Sequence, residues 1–159
     1  MARNKKEIYL ILQNIRSLYN IGSIFRCADA FSVSKIFLCS YSGYPVEKQI
    51  VKISKTALGA EKTITWEHHW QTANLIKKLK REKIKIFALE LTSKATPLKN
   101  FKPHFPLALV VGNEVTGVTR SILKLADQTI YIPMHGQKES LNVAIATGIT
   151  LYNINLHRK

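Results

Sequence analysis

The feature that most constrains this chain is a succession of short, unbroken apolar runs, each followed by a stretch of helical periodicity. Ile8–Leu12, Lys35–Ser40, Thr63–Trp66, Ile84–Leu91, Leu107–Val111 and Thr129–Pro133 read as strands. Most of them are apolar without strict alternation, which marks strands buried on both faces rather than strands with one wet face. Between them Ile21, Ile24, Phe25, Ala28 and Phe31 recur at helical spacing, as do Ile50, Ile53 and Ala57. Thr72 to Lys83 predicts a basic helix with Leu75, Ile76 and Leu79 inward, Thr119 to Leu125 a short helix, and Leu141 to Leu156 an apolar one. A polar stretch with prolines at 97, 103 and 106 reads as loop. The pattern predicts an α/β fold, a mostly parallel sheet flanked by helices. Such sheets bind ligands in loops beyond the carboxyl ends of their strands.

The chain has 159 residues, enough for one domain with a sizeable core, and residues 1–159 read as a single domain without a linker. The longest apolar run, Leu107 to Val111, is too short to cross a bilayer, and the first residues lack the apolar segment of a secretory signal. Two cysteines, Cys27 and Cys39, suit neither a disulfide framework nor a zinc cluster. A cytoplasmic setting is the simplest expectation. Against 10 acidic residues stand 24 Lys and Arg, a net charge of +14. Solubility needs only a net charge of roughly 2–8, so the excess points to a polyanion, nucleic acid first.

Three loops carry the chemistry. The first, Gln13 to Arg26, follows the first strand and holds Asn14, Arg16, Asn20, Gly22 and Arg26. Asn20 is placed to cap the following helix, and the packed neighbours of Arg26 restrict where its guanidinium can point. The second, Val110 to Gly117, runs from a buried strand into Gly112, Asn113 and Glu114. Gly112 and Gly117 have the spacing of a Walker A motif, but Val118 and Thr119 replace its Lys and Ser/Thr. The third, Ile132 to Ala146, has Ser140 placed to start the last helix and Asn142 in its first turn. Gly-x-Gly occurs nowhere, so no Rossmann-type loop is present. His68 and His69 are adjacent and point apart on a strand, and no metal is expected.

Together the stretches NIRSLYNIGSIFRCADAF (Asn14–Phe31), LALVVGNEVTGV (Leu107–Val118) and IYIPMHGQKESLNVAIATGI (Ile130–Ile149) resemble, in order, the three motifs of the SpoU (TrmH-like) family of SPOUT RNA methyltransferases. SKTALGAEK (Ser54–Lys62) also matches between motifs. The resemblance implies transfer of a methyl group from S-adenosylmethionine to a ribose 2′-hydroxyl of tRNA or rRNA, and the reading as a free-standing domain slightly favours tRNA. It also implies a deep C-terminal trefoil knot and a homodimer. By motif, Arg26 matches the catalytic arginine, and Asn20, Glu114 and Asn142 match other characteristic polar positions. The cofactor pocket would comprise Leu91, Thr92, Gly112, Asn113, Glu114, Ile132, Met134, Ser140, Leu141 and Ala144. Many relatives carry an N-terminal RNA-binding domain; none is expected here, so RNA would meet the basic surface. Its candidates are Arg3, Lys5, Lys6, Arg16, Arg26, Lys77–Lys85 and Lys94–Lys102. The alternatives are a non-catalytic RNA-binding or assembly protein on the same fold, and methylation of a base. The last helix, apolar around most of its circumference, is expected to meet a second subunit, with Ile21, Ile24 and Phe25 nearby.

Overall fold

A computed structural model describes residues 6–158. Its strands are β1 (Ile8–Gln13), β2 (Lys35–Cys39), β3 (Trp66–His69), β4 (Lys85–Leu89), β5 (Thr96–Pro97), β6 (Leu107–Val111) and β7 (Gln128–Tyr131). Its helices are α1 (Leu18–Ala30), α2 (Gln49–Ala57), α3 (Ala60–Thr63), α4 (Thr72–Arg81), α5 (Arg120–Leu123) and α6 (Val143–Leu156). The strands form one sheet in the order β3-β2-β1-β6-β4-β7-β5, and every pairing is parallel. All carboxyl ends therefore lie along one edge.

The apolar strands do what their composition demands. β6 is buried at all five positions, and Leu10, Ile11 and Leu12 of β1 are fully enclosed. Side chains alternate across the sheet and feed two cores. Leu10, Leu12, Leu107, Leu109 and Val111 pack with α1, α2 and α6. Ile11, Ile86, Ala108 and Val110 pack instead with Leu75, Ile76 and Leu79 of α4 and Ile122 of α5. Cys39 is buried, and desolvation pushes its thiol up to about 12, with the Thr72 hydroxyl pulling weakly the other way.

The structure departs from expectation at element ends. Thr63 to Trp66 is not a strand. Thr63 closes α3, its hydroxyl on the Ala60 carbonyl, and β3 starts at Trp66 because the register pairs Ile36 with Trp66 and Cys39 with His69. Asn20 does not cap α1. Ser17 does, its Oγ accepting the Asn20 amide at 3.2 Å. Ser140 does not start the last helix. Asn142 caps α6, accepting the amides of Ala144 at 2.9 Å and Ile145 at 3.3 Å. The Thr119 helix stops at Leu123, and the Thr119 hydroxyl is taken by Gln13 Nε2 at 2.9 Å. The proline-containing stretch contains β5, joined to β7 by pairing and by Gln128 Nε2 on Thr96 Oγ1. Ile21, Ile24 and Phe25 are wholly buried in the chain's own core, so they present nothing to a second subunit. No helix is long and apolar enough to cross a membrane among the described residues.

Candidate active site

Four strands, β1, β6, β4 and β7, are neighbours in the sheet, and the loops leaving their carboxyl ends meet. They enclose a cleft of about 540 Å³, within the usual range of small-molecule sites. Leu91 comes from beyond β4, Gly112, Asn113 and Glu114 from beyond β6, and Ile132, Met134, Ser140, Leu141 and Asn142 from beyond β7. Asn20 reaches in from α1. Thr92 is not part of the lining, and Ala144 is buried within the first turn of α6.

The loop after β6 is folded back tightly on itself. Asn113 Oδ1 accepts the amides of Val115 and Thr116, and the Gly117 amide returns to the Asn113 carbonyl at 2.9 Å. A Cβ on Gly112 would strike the backbone of Gly117 and Val118. Gly117 adopts a left-handed φ of 69°, and a Cβ there would run into the Glu90 carboxylate. Glu90 Oε2 accepts the Val118 amide at 2.9 Å, so the carboxyl end of β4 braces this turn.

Glu114 explains why this loop carries a carboxylate. Its Oε1 accepts the Ser17 amide at 3.1 Å and its Oε2 the Arg16 amide at 3.4 Å, at the entry to α1. A negative charge is favourable there, because the first amides of a helix lack intrahelical acceptors. Asn20 Nδ2 also donates to Glu114 Oε1 at 3.3 Å, and Asn142 Nδ2 donates to Asn20 Oδ1 at 3.0 Å. One hydrogen-bonded line, Glu114–Asn20–Asn142, thus joins segments about a hundred residues apart. Asn113 Nδ2 adds a bond to the Asn14 carbonyl at 2.8 Å.

Arg26 lies elsewhere. It is exposed, on a groove between α1 and the end of α2 lined by Ser23, Cys27, Ala30, Phe31, Lys55, Thr56 and Leu58. The expectation that its packed neighbours confine it fails, because Phe25 and Ala28 face inward while position 26 faces out. Arg16 is exposed at the mouth of the first loop, and Lys6 is half-buried, while Arg3 and Lys5 lie outside the described residues. His69 pairs with Glu67, whose carboxyl is held below its usual range by hydrogen bonds from Lys35 and His69. Among the described residues, no group of three His, Cys, Asp or Glu is arranged to hold a metal ion.

A family model described as the SpoU rRNA methylase family matches residues 7–152. The chain belongs to the SpoU rRNA methylase family. It is 29% identical over its whole length to a tRNA (guanosine(18)-2′-O)-methyltransferase of Aquifex aeolicus, of which it covers 74%. A 23S rRNA (guanosine-2′-O-)-methyltransferase of Acinetobacter baylyi is 30% identical over 96% of the chain and is covered to 60%. Among solved structures, an AdoMet-bound rRNA methyltransferase from Sinorhizobium meliloti superposes with a TM-score of 0.88 at 27% identity, over 99% of this chain and 59% of that one. The chain thus spans about three fifths of the length of the latter two proteins.

Two residues of this site carry weaker signals in the sequence. Glu90 sits inside an apolar run, where a lone carboxylate at a strand's carboxyl end is the usable signal. Ser17, the true cap of α1, follows Arg16 in the same motif and could have been found from its preference for cap positions.

Proposed function

We propose that the chain transfers a methyl group from S-adenosylmethionine to a ribose 2′-hydroxyl of structured RNA, with tRNA favoured over rRNA. The observation that carries this reading is the line Glu114–Asn20–Asn142, which draws all three motif loops to one cleft at the carboxyl edge of a parallel sheet. The Aquifex relative, covered more fully than the Acinetobacter one, supports tRNA.

The residues present fit the cofactor. Leu89, Leu91, Val111, Ile132, Met134 and Leu141 give an apolar wall, and Gly112, Asn113, Glu114 and Ser140 give polar edges around it. S-adenosylmethionine, when bound, supplies an electrophilic methyl group on a sulfonium centre. The same family reading carries a trefoil knot, in which the crowded loops after β4, β6 and β7 enclose the cleft.

The ribose hydroxyl is almost wholly protonated near neutral pH, so the protein must orient it and stabilise the charge that develops as its proton leaves. Arg26 suits that task by its planar fork and permanent charge, with the adjoining RNA phosphate as proton acceptor. Arg26 does not line the cleft of its own chain. We therefore assign it to the cleft of a second copy. Ile145, Ile149, Tyr152 and Leu156 form an exposed apolar stripe along α6, with Ile145 56% and Tyr152 57% open, and supply the dimer face.

Single-turnover transfer with saturating RNA, paired with calorimetry of the cofactor, tests this reading. Arg26→Ala loses most methyl transfer and keeps cofactor affinity, and Arg26→Lys recovers little because an ammonium cannot reproduce the fork. Near-normal turnover in Arg26→Ala would remove the assignment. RNA binding by a wild type that shows no affinity for the cofactor would favour a non-catalytic RNA-binding protein.

A further inference from the structure

We propose that the exposed rings of Tyr41 and Trp70 form a stacking platform for an unpaired base of the RNA, beside the cleft. The inference rests on the reading of the cleft given above and adds that the substrate presents a single-stranded nucleotide near the one modified.

Tyr41 follows β2 and Trp70 follows β3, so both stand on the same carboxyl edge of the sheet as the cleft. Tyr41 is 71% exposed and Trp70 66%. Their rings meet edge to face with centroids 6.4 Å apart. A second aromatic layer supports them, His68 lying 4.7 Å from Trp70 and 4.3 Å from Tyr44. Isolated surface aromatics are ordinary, but two open rings in contact over a packed aromatic layer are a built surface.

The backbone beneath is fixed. Ser40, at a left-handed φ of 56°, donates its amide to the His69 carbonyl at 2.8 Å and its hydroxyl to the Trp70 carbonyl at 3.1 Å. The His68 ring bonds the Ser40 carbonyl at 3.0 Å. The rings are therefore open on a braced support. The Tyr41 amide donates to Asn14 Oδ1 at 3.2 Å, and the Asn14 carbonyl accepts from Asn113, so one residue links platform and cleft loop.

Charge selects the occupant. Exposed Arg16 stands in the segment that runs beside residues 42 and 43, tied to it by the Ile15 amide on Ser42 Oγ and the Gly43 amide on the Ile15 carbonyl. An exposed aromatic pair with an exposed arginine on the adjoining segment, on a chain of net charge +14, suits a phosphate-linked strand with unstacked bases. A duplex keeps its bases stacked and offers the rings nothing.

The full chain is titrated with a labelled single-stranded octaadenylate and with a blunt RNA duplex of equal length, at fixed salt. Trp66 and Trp70 are the only tryptophans, so in a Trp66→Phe background Trp70 is the sole indole reporter. Its emission is quenched by the single strand and not by the duplex. Trp70→Ala weakens single-strand binding about tenfold, and Trp70→Phe restores most of it. Binding of octaadenylate by Trp70→Ala within twofold of wild type overturns the proposal, as does an equal loss toward the duplex. Dissociation of a dimer by Trp70→Ala in sedimentation also overturns it, making the rings a subunit contact. S-adenosylmethionine affinity, measured in parallel, stays unchanged in every variant. Its absence in wild type would defeat the methyltransferase reading while the quenching still reports on the platform.

Discussion

Gly117 shows how little freedom the cleft loop has at the level of single residues. Its left-handed φ and the Glu90 carboxylate at its Cβ position both exclude a side chain. Gly117→Ala must strain the backbone and push Glu90 off the Val118 amide. We expect a stability loss of about 1–3 kcal/mol in denaturant titration, together with weakened S-adenosylmethionine binding by calorimetry. Wild-type values for both would show that the turn has slack. Motif reasoning named Gly112, Asn113, Glu114, Asn20 and Asn142, and all five line one cleft. It could not reveal that Glu114 receives the entry amides of α1, because that bond spans 97 residues and depends on β1 and β6 being neighbours. Nor did it separate Arg26 from Asn20. Six residues along a helix turn the side chain by about 240°, which sends the two to different faces.

Among the elements, α6 depends most on one cap. Asn142 holds the amides of Ala144 and Ile145 and also reaches Asn20, so it serves the helix and the cleft at once. Asn142→Ala should cost about 1 kcal/mol, read as a lower melting temperature. Asn142→Asp keeps an acceptor for the amides and should recover most of that stability, while losing the donor to Asn20. Equal melting temperatures for all three proteins would refute the cap. Apolar runs and helical spacing foretold β1, β2, β4, β6, β7 and α4 closely, because buried strands and a one-sided helix write their environment into composition. Ends were foretold less well. Thr63 to Trp66 favours strand locally, yet the α3 turn and the β2 register decide its conformation. β5 has two residues and exists only because β7 offers an edge, which no local pattern records.

At the scale of the whole molecule, alternation along the chain predicted a parallel sheet but not its order. β6 sits between β1 and β4, and β4 between β6 and β7, so loops distant in sequence share one edge. The proposed knot would leave no local mark either, since connections ordinarily avoid threading. The proposed dimer belongs to this scale. If Arg26 serves the cleft of a second copy, two inactive proteins should complement each other. Arg26→Ala mixed with a Gly112→Asp cleft variant, after subunit exchange, is expected to recover up to about a quarter of wild-type transfer, since only mixed dimers carry one intact site of two. Ile149→Glu, on the exposed stripe of α6, should give a monomer by sedimentation that lacks transfer. No recovery on mixing, with exchange verified, would place Arg26 in its own chain's cleft or outside the chemistry. The most direct measurement is the position of the methyl group itself. Total RNA from cells lacking the protein is incubated with purified protein and methyl-labelled S-adenosylmethionine, then divided, one portion being digested to nucleosides and the other hydrolysed in alkali. The account predicts label in a 2′-O-methylnucleoside at a site that has become resistant to alkaline cleavage. Label on a base, or no label at all from a protein that binds the cofactor, would contradict it.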